Sequence, residues 1–277
     1  ERPDLNNLYA EGWREPECFT VKAADEETDL YGVMWKPMDF DSTKRYPVIA
    51  YVYPGPWTEY IPLDFEFSSP SGAPQLAQLG FVVVCFGNRG GSPYRGRDYH
   101  CYGYGNLRDY PLADNKYGLE QLIARYSFID GTKVGIFGHS GGGSMSVAAI
   151  CTYPDFYKAA VASSGNYDNT IFDYGWSEIH HGIKKVIKEG KVGFEFSIPV
   201  HLELAKNLKG HLMLVTGDAD DTVNPANTSR MVHSLILAGK DFELVVLPGQ
   251  RYGYMGVAKE YYFRKMWRHF ERYLLDE

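Results

Sequence analysis

The chain has 277 residues, of which 44% are hydrophobic, so it is large enough to bury one sizeable core or two closely joined ones. Its formal net charge of −7 offers no basic surface, which argues against nucleic-acid binding. No apolar run has membrane-spanning length, and Glu1 begins a charged segment unlike a signal peptide. Since no initiator Met is present, we expect the chain to be part of a longer protein.

Strand-like and helix-like segments alternate along the chain. An antiparallel pair is predicted first, followed by apolar runs typical of central strands that are covered on both faces. The predicted strands are 19–23, 30–35, 46–53, 81–86, 132–137, 157–162, 211–216 and 242–247. The predicted helices are 111–126, 143–150, 224–238 and 259–274. This order predicts an α/β-hydrolase fold, in which a mostly parallel central sheet carries helices on both faces. No internal repeat or linker is evident, so residues 1–277 are expected to form a single catalytic domain.

The segment Gly138-His139-Ser140-Gly141-Gly142 lies between a predicted strand and a predicted helix. A G-x-S-x-G sequence in that position is the signature of a nucleophile elbow, where glycines allow a sharp turn that exposes the serine hydroxyl. The N–H of Gly141 then becomes a candidate donor to an oxyanion. The alternative is a glycine-rich turn with an incidental serine. We predict that Ser140 is a nucleophile.

An acidic partner is expected after a later strand, before the general base. Asp218, Asp220 and Asp221 all follow the strand that ends at Thr216. Turns attract aspartate because its side chain bonds to nearby backbone amides. The residues alone therefore leave the choice among the three open.

Five motifs along the chain are more specific together than the serine pentapeptide alone. The motifs are Val52-Tyr53-Pro54-Gly55-Pro56, Asn88-Arg89-Gly90-Gly91-Ser92, Gly138-His139-Ser140-Gly141-Gly142, Gly217-Asp218-Ala219-Asp220-Asp221 and Leu247-Pro248-Gly249-Gln250-Arg251. With these motifs the chain resembles the catalytic domain of the prolyl oligopeptidase family of serine peptidases, in particular its dipeptidyl peptidase IV branch and bacterial relatives. The resemblance covers nearly the whole chain.

The resemblance implies roles for individual residues. Tyr53 would donate its hydroxyl to the oxyanion beside Gly141, and Asp220 would be the triad acid. An aromatic pocket for a proline-like ring would include Tyr167 and Phe172, with Val223 nearby. The alternatives are that Tyr53 is a core residue at a strand end and that Tyr167 is a loop residue packing on its neighbours.

The resemblance also implies partners and a location. The substrate would be a peptide, no cofactor or metal would be needed, and the domain would adjoin a β-propeller and form a homodimer. A periplasmic or other extracytoplasmic location is expected. No propeller repeat occurs in these 277 residues, so any selection of substrate by length would depend on sequence outside them. The four scattered cysteines leave the redox compartment open and allow one disulfide.

The chain departs from the family at the general base. The family has a histidine followed by glycine on the loop after the last strand, whereas this chain has Tyr252-Gly253 there. Phenol has a reference pKa of about 10 and is a poor proton acceptor at pH 7. No convincing substitute is predicted among the histidines considered: His139 should point away from the elbow, His180 and His181 lie on a predicted loop, and His211, His233 and His269 are expected to be structural or surface residues.

Three functions are consistent with these features. The first is a serine peptidase domain that cleaves after proline or alanine and is impaired at the base position. The second is a non-catalytic module that uses the same pocket to hold peptides or a partner subunit. The third is an esterase or acyl-peptide hydrolase, since an alkoxide leaves more easily than an amide nitrogen and ester cleavage tolerates a poor base better.

Overall fold

A mixed eight-stranded sheet organises the molecule, as the alternation of segments predicted. The structure is a computed structural model that describes residues 4–56, 58–59, 61, 71–195 and 200–275. The sheet has the order β1-β2-β4-β3-β5-β6-β9-β10, and a separate hairpin pairs β7 with β8. The strands are β1 (Glu17–Lys22), β2 (Asp29–Trp35), β3 (Tyr46–Tyr51), β4 (Val82–Phe86), β5 (Ile129–His139), β6 (Tyr157–Ser163), β7 (Lys184–Lys188), β8 (Lys191–Glu195), β9 (His211–Gly217) and β10 (Glu243–Leu247).

Parallel pairing dominates the sheet. Only β1–β2 and β2–β4 are antiparallel among its pairs, so the opening strands make the sheet mixed. The helices are α1 (Asn6–Ala10), α2 (Ala73–Ala77), α3 (Arg97–His100), α4 (Leu112–Arg125), α5 (Gly141–Thr152), α6 (Tyr174–His181), α7 (Ala226–Leu237) and α8 (Gly256–Phe270). A π-helical turn, Glu271–Leu275, follows α8. This arrangement is the α/β-hydrolase fold.

The central strands are buried on both faces. Along β3, Val48 and Ala50 lie in one apolar cluster, while Ile49 and Tyr51 lie in the other. Helices α4, α5 and α7 contribute to the first cluster, and α2 and α8 contribute to the second. Because alternate side chains of a strand point to opposite faces, this division places helices on both sides of the sheet. The carboxyl ends of β3, β5 and β9 therefore meet at one edge of a rigid scaffold.

Two elements were missed in the sequence. Helix α6 includes His180 and His181, so the prediction that they lie on a loop was wrong. The side chain of Asp173 caps this helix by accepting a hydrogen bond from the Trp176 N–H at 2.7 Å, and an aspartate at that position was a readable start signal. The β7–β8 hairpin also had a signal, because Glu189-Gly190 separates two alternating segments.

All four cysteines are free, and Cys85 and Cys151 are buried. Within the described residues, no helix is both long and apolar enough to cross a membrane.

Candidate active site

Ser140 lies in a strained turn between β5 and α5. Its backbone angles are φ 58° and ψ −121°, in a region that L-residues rarely adopt. The Ser140 N–H donates to the Ser163 carbonyl at 2.8 Å, which ties the turn to β6. A Cβ added at Gly138 or Gly142 would lie 2.4 or 2.0 Å from the Val52 carbonyl oxygen. These two glycines allow the turn to pack directly against the end of β3, as expected for a nucleophile elbow.

A cavity of about 270 Å³ lies beside this turn. Ser140, Gly141 and Tyr53 all line it, so the predicted nucleophile shares one space with both predicted oxyanion donors. The Tyr110 hydroxyl donates to the Pro54 carbonyl and holds the segment that carries Tyr53. A backbone N–H at a helix start and a fixed phenol hydroxyl are suitable donors to a developing oxyanion.

Asp220 is fixed in the loop after β9 by its own backbone. Its Oδ1 accepts hydrogen bonds from the N–H groups of Thr222 at 3.0 Å and Val223 at 2.9 Å. Its Oδ2 is buried and has no hydrogen-bond partner among the residues that the structure describes. An unpaired buried acceptor is costly, so this oxygen is poised to accept a hydrogen bond from another group.

The two neighbouring aspartates have other contacts. Asp218 Oδ1 accepts from the Gly249 N–H at 2.6 Å, which links the loops after β9 and β10. Asp221 forms an ion pair of 2.6 Å with Arg251, and both side chains are more than half exposed. The geometry thus distinguishes Asp220 from the two carboxylates that the sequence alone left as equals.

Tyr252 lies at the position where the family has histidine. Tyr252 lines the same cavity as Ser140 and Tyr53, and both of these side chains influence its pKa. Burial is the largest of the effects that raise the pKa of Tyr252 to about 12. With that pKa, about one hydroxyl in 10⁵ is ionised at pH 7. Tyr252 therefore presents a neutral phenol, rather than an imidazole, to the serine.

His139 belongs to a different hydrogen-bond network, although its ring lies 4.6 Å from that of Tyr252. Its Nδ1 is 3.0 Å from Ser163 Oγ, which in turn is 2.8 Å from the Tyr254 hydroxyl. The ring also has a hydrogen bond to the backbone of Tyr252. Burial lowers the pKa of His139 to about 4, although the Asp220 carboxylate opposes this shift. The imidazole is therefore neutral at pH 7, and these bonds run to groups other than the Ser140 hydroxyl.

Two of the three residues predicted for the pocket line the cavity beside Ser140: Phe172 and Val223. Tyr167 is fully buried, and its ring packs against Gly165, where an added Cβ would lie 2.5 Å from it. The pocket role of Tyr167 stays a prediction.

Trp176 contributes an aromatic ring to this pocket that the sequence analysis missed. Its ring meets that of Phe172 edge-on, with centroids 5.1 Å apart, and both residues line the cavity. The aspartate cap at Asp173 fixes the start of α6 and hence the position of Trp176. Leu107 and Tyr110 complete an apolar wall that no sequence motif marked.

A family model described as "Prolyl oligopeptidase family" matches residues 67–277. The chain belongs to the prolyl oligopeptidase family. It is 31% identical over 237 residues to dipeptidyl peptidase 8 of Homo sapiens, a match that covers 86% of this chain and 26% of that protein. It is also 25% identical over 245 residues to prolyl endopeptidase FAP of Bos taurus, covering 87% of this chain and 31% of that relative.

Solved structures are similar over nearly the whole chain. A putative dipeptidyl aminopeptidase IV from Bacteroides ovatus has a TM-score of 0.84 and 28% identity, covering 94% of this chain and 36% of that one. Dipeptidyl peptidase 4 from Porphyromonas gingivalis has a TM-score of 0.83 over 98% of this chain, with 23% identity. The chain thus spans about a third or less of these relatives, and the match supports a dipeptidyl peptidase IV-type catalytic domain.

Proposed function

We propose that this chain is the hydrolase domain of a serine peptidase that cleaves after proline or alanine, with turnover impaired because Tyr252 replaces the general base. One observation carries the proposal: the buried Asp220 Oδ2 has no hydrogen-bond partner among the described residues, while a phenol, Tyr252, lines the cavity beside Ser140. The site keeps a nucleophile, an acid and oxyanion donors around the position of a missing imidazole.

The geometry favours attack by Ser140 from within the cavity. Its Oγ would add to the substrate carbonyl carbon, and the resulting oxyanion would accept hydrogen bonds from the Gly141 N–H and the Tyr53 hydroxyl. Phe172, Trp176 and Val223 would surround an apolar side chain before the cleaved bond. A proline ring or an alanine methyl suits that wall because neither introduces a polar group that needs a partner.

Loss of the base limits the step in which the serine proton must leave. Removing the histidine of a serine protease triad costs about 10⁶ in kcat, whereas the oxyanion hole and binding keep about 10³–10⁴ over the reaction in water. Burial of the phenol adds to the difficulty, since it disfavours the phenolate that would have to accept the proton. We therefore assign slow amide cleavage to the chain, with faster cleavage of esters because an alkoxide is the better leaving group.

A binding role is the second candidate, and the neutral phenol of Tyr252 beside Ser140 favours it. A phenol with a pKa of about 12 stays protonated at pH 7 and does not take the proton of the serine. The chain would then retain a peptide or a partner segment in the cavity without cleaving it. The relatives extend well beyond this chain, so we assign any selection of substrate length to sequence outside it.

The test is the substitution Tyr252→His. It restores a base between Ser140 and Asp220, and we expect hydrolysis of a Gly-Pro or Ala aryl amide to rise by about 10⁴–10⁶. A single-residue Ala ester should be assayed in parallel, because it depends little on distant subsites. The measurement is kcat/KM for each substrate, in proteins whose thermal unfolding shows them to be folded.

The matched control is Tyr252→His combined with Ser140→Ala, which should show no gain. A gain that survives this control would mean that Ser140 is not the nucleophile. A folded Tyr252→His protein with unchanged kcat/KM that nonetheless binds the Gly-Pro peptide would support the binding role instead.

A further inference from the structure

A hydrogen-bonded serine–histidine pair lies at the same cavity, with the serine in the cavity wall and the histidine behind it. Ser144 stands one helical turn after Ser140 on α5 and lines the cavity. Its Oγ lies 2.9 Å from Nε2 of His201, a histidine that no sequence motif marked. His201 is fully buried, whereas Ser144 retains a small exposed fraction of 7%. The serine can therefore meet a molecule in the cavity while the imidazole stays behind it.

The tautomer of His201 follows from its other ring nitrogen. Nδ1 lies 3.2 Å from the carbonyl oxygen of Tyr167, which can only accept a hydrogen bond. Nδ1 therefore carries the proton, and Nε2 is left as an acceptor for the Ser144 hydroxyl. The backbone N–H of His201 donates to the same carbonyl at 2.8 Å, which fixes the ring further. The carbonyl of Tyr167 thus orients the imidazole of His201.

The surroundings keep His201 uncharged at neutral pH. Burial lowers its pKa to about 4, and the nearby Arg108 acts in the same direction, while Asp109 opposes it. Arg108 is itself paired with Asp109 and Glu203, so the charges facing the imidazole largely cancel. His201 is thus in its proton-accepting form throughout the neutral range, in contrast to the phenol of Tyr252.

We propose that Ser144 is a second nucleophile of this cavity, activated by His201 as its general base and oriented through the Tyr167 carbonyl. A nucleophile hydrogen-bonded to a base, which a third group holds in the required tautomer, is the arrangement found in activated serines. The inference rests on the proposed function only in requiring that the cavity admit an acyl or phosphonyl group. It predicts acyl transfer from activated esters that is independent of both Ser140 and Tyr252.

The chemistry balances with the groups present. With an alkyl fluorophosphonate, Ser144 Oγ forms a bond to phosphorus, the P–F bond breaks and fluoride leaves. The serine proton passes to Nε2 of His201 and from there to solvent. With an ester, the same imidazolium would return that proton to the departing alkoxide.

The experiment labels the chain with an alkyl fluorophosphonate and locates the modified serine from fragment ions of the peptide containing both serines. We expect the native chain to be modified at Ser144. Modification should persist in Ser140→Ala and disappear in Ser144→Ala. His201→Gln should slow it by about 10²-fold, within the range for loss of a general base. The labelling rate should be constant from pH 6 to 9, because His201 is neutral throughout that range.

Modification confined to Ser140, or absent from both serines, overturns the inference and leaves Ser144–His201 as a buried hydrogen bond. If His201→Gln does not fold, labelling is compared between Ser140→Ala and the double variant that also carries Ser144→Ala. Labelling that is lost only in the double variant supports Ser144 as the nucleophile. The Tyr252→His and Ser144→Ala double variant separates the two proposals. Labelling of its Ser140 supports the proposed function whatever happens at Ser144.

Discussion

The two halves of the active site differ in what fixes them. The elbow half consists of Ser140, Gly141 and Tyr53, and backbone geometry determines it: a strained φ, a hydrogen bond to β6 and glycines pressed against Val52. The loop half consists of Asp220 and Tyr252, and its chemistry depends on the protonation of single side chains. The first half has the backbone geometry of a nucleophile elbow, whereas the second has a phenol where the resemblance to the family leads us to expect a histidine.

The backbone of a site can thus be retained while the side chain at a key position differs. The loops after β9 and β10 remain joined by the bond between Asp218 and the Gly249 N–H, whatever residue stands at position 252. A phenol can occupy the position at which a histidine is expected and still line the cavity together with Ser140. We therefore expect substitutions in the elbow half to lower kcat strongly only in the Tyr252→His protein, in which the base is restored.

The largest expected effect on kcat that distinguishes the two halves comes from substitution of Asp220. In the Tyr252→His background, Asp220→Asn should lower kcat by about 10⁴, because the restored histidine would lose the carboxylate that sets its tautomer. In the native chain the same change should alter ester hydrolysis less than about threefold, since no imidazole depends on it. The measurement is kcat for the Ala ester in all four proteins.

An equal loss of kcat on Asp220→Asn in the native and Tyr252→His proteins would contradict the division of the site into two halves. Asp221→Asn is the matched control, because Asp221 pairs with Arg251 at the surface and should have little effect on kcat.

The next effect concerns the oxyanion donors. In the Tyr252→His background, Tyr53→Phe should lower kcat by about 10²–10³, the range for removing one oxyanion donor. KM should change little, since the hydroxyl acts mainly on the charge that develops in the transition state. Steady-state kinetics on the Ala aryl amide would check this, and an effect on KM alone would assign Tyr53 to substrate binding.

The parts of the site that depend on local backbone conformation could be predicted from the sequence. The parts that depend on the direction of a side chain could not. The elbow around Ser140 was predictable, because strand, glycine spacing and helix all specify one turn. Asp220 needed the family resemblance, since three adjacent aspartates carry the same local signal. The burial of the Tyr167 ring was not predictable, because position on a loop does not reveal which way a ring points. Trp176 and His201 were missed because tertiary contacts bring Trp176 to the cavity and His201 to Ser144.

A smaller effect concerns stability in acid. The pKa of His181 is lowered to about 4 by burial and by His180, so the unfolded chain, with a pKa near 6.5, binds this proton more readily than the folded one. Stability from this group is complete above pH 6.5 and is lost as the pH falls towards 4. The free energy of unfolding should therefore fall by at most about 1.4 kcal/mol per pH unit for this residue.

Urea unfolding at pH 7, 6, 5 and 4 measures this slope. His181→Gln should reduce the dependence of the free energy of unfolding on pH. The substitution removes no hydrogen bond to the described residues, because neither ring nitrogen of His181 has a partner among them. An unchanged slope would mean that His181 is protonated in the folded chain.

The pH dependence of Ala-ester hydrolysis by the Ser144→Ala protein tests the base-loss account most directly, because that variant removes the second proposed nucleophile. If the phenol of Tyr252 is the only group able to accept the Ser140 proton, kcat/KM should rise about tenfold per unit from pH 7 to 10 without a plateau, since its pKa is about 12. The rate of the Ser140→Ala and Ser144→Ala double variant is subtracted to remove attack by hydroxide. A plateau between pH 6 and 8 would contradict the account, because it would show that an imidazole serves Ser140 after all.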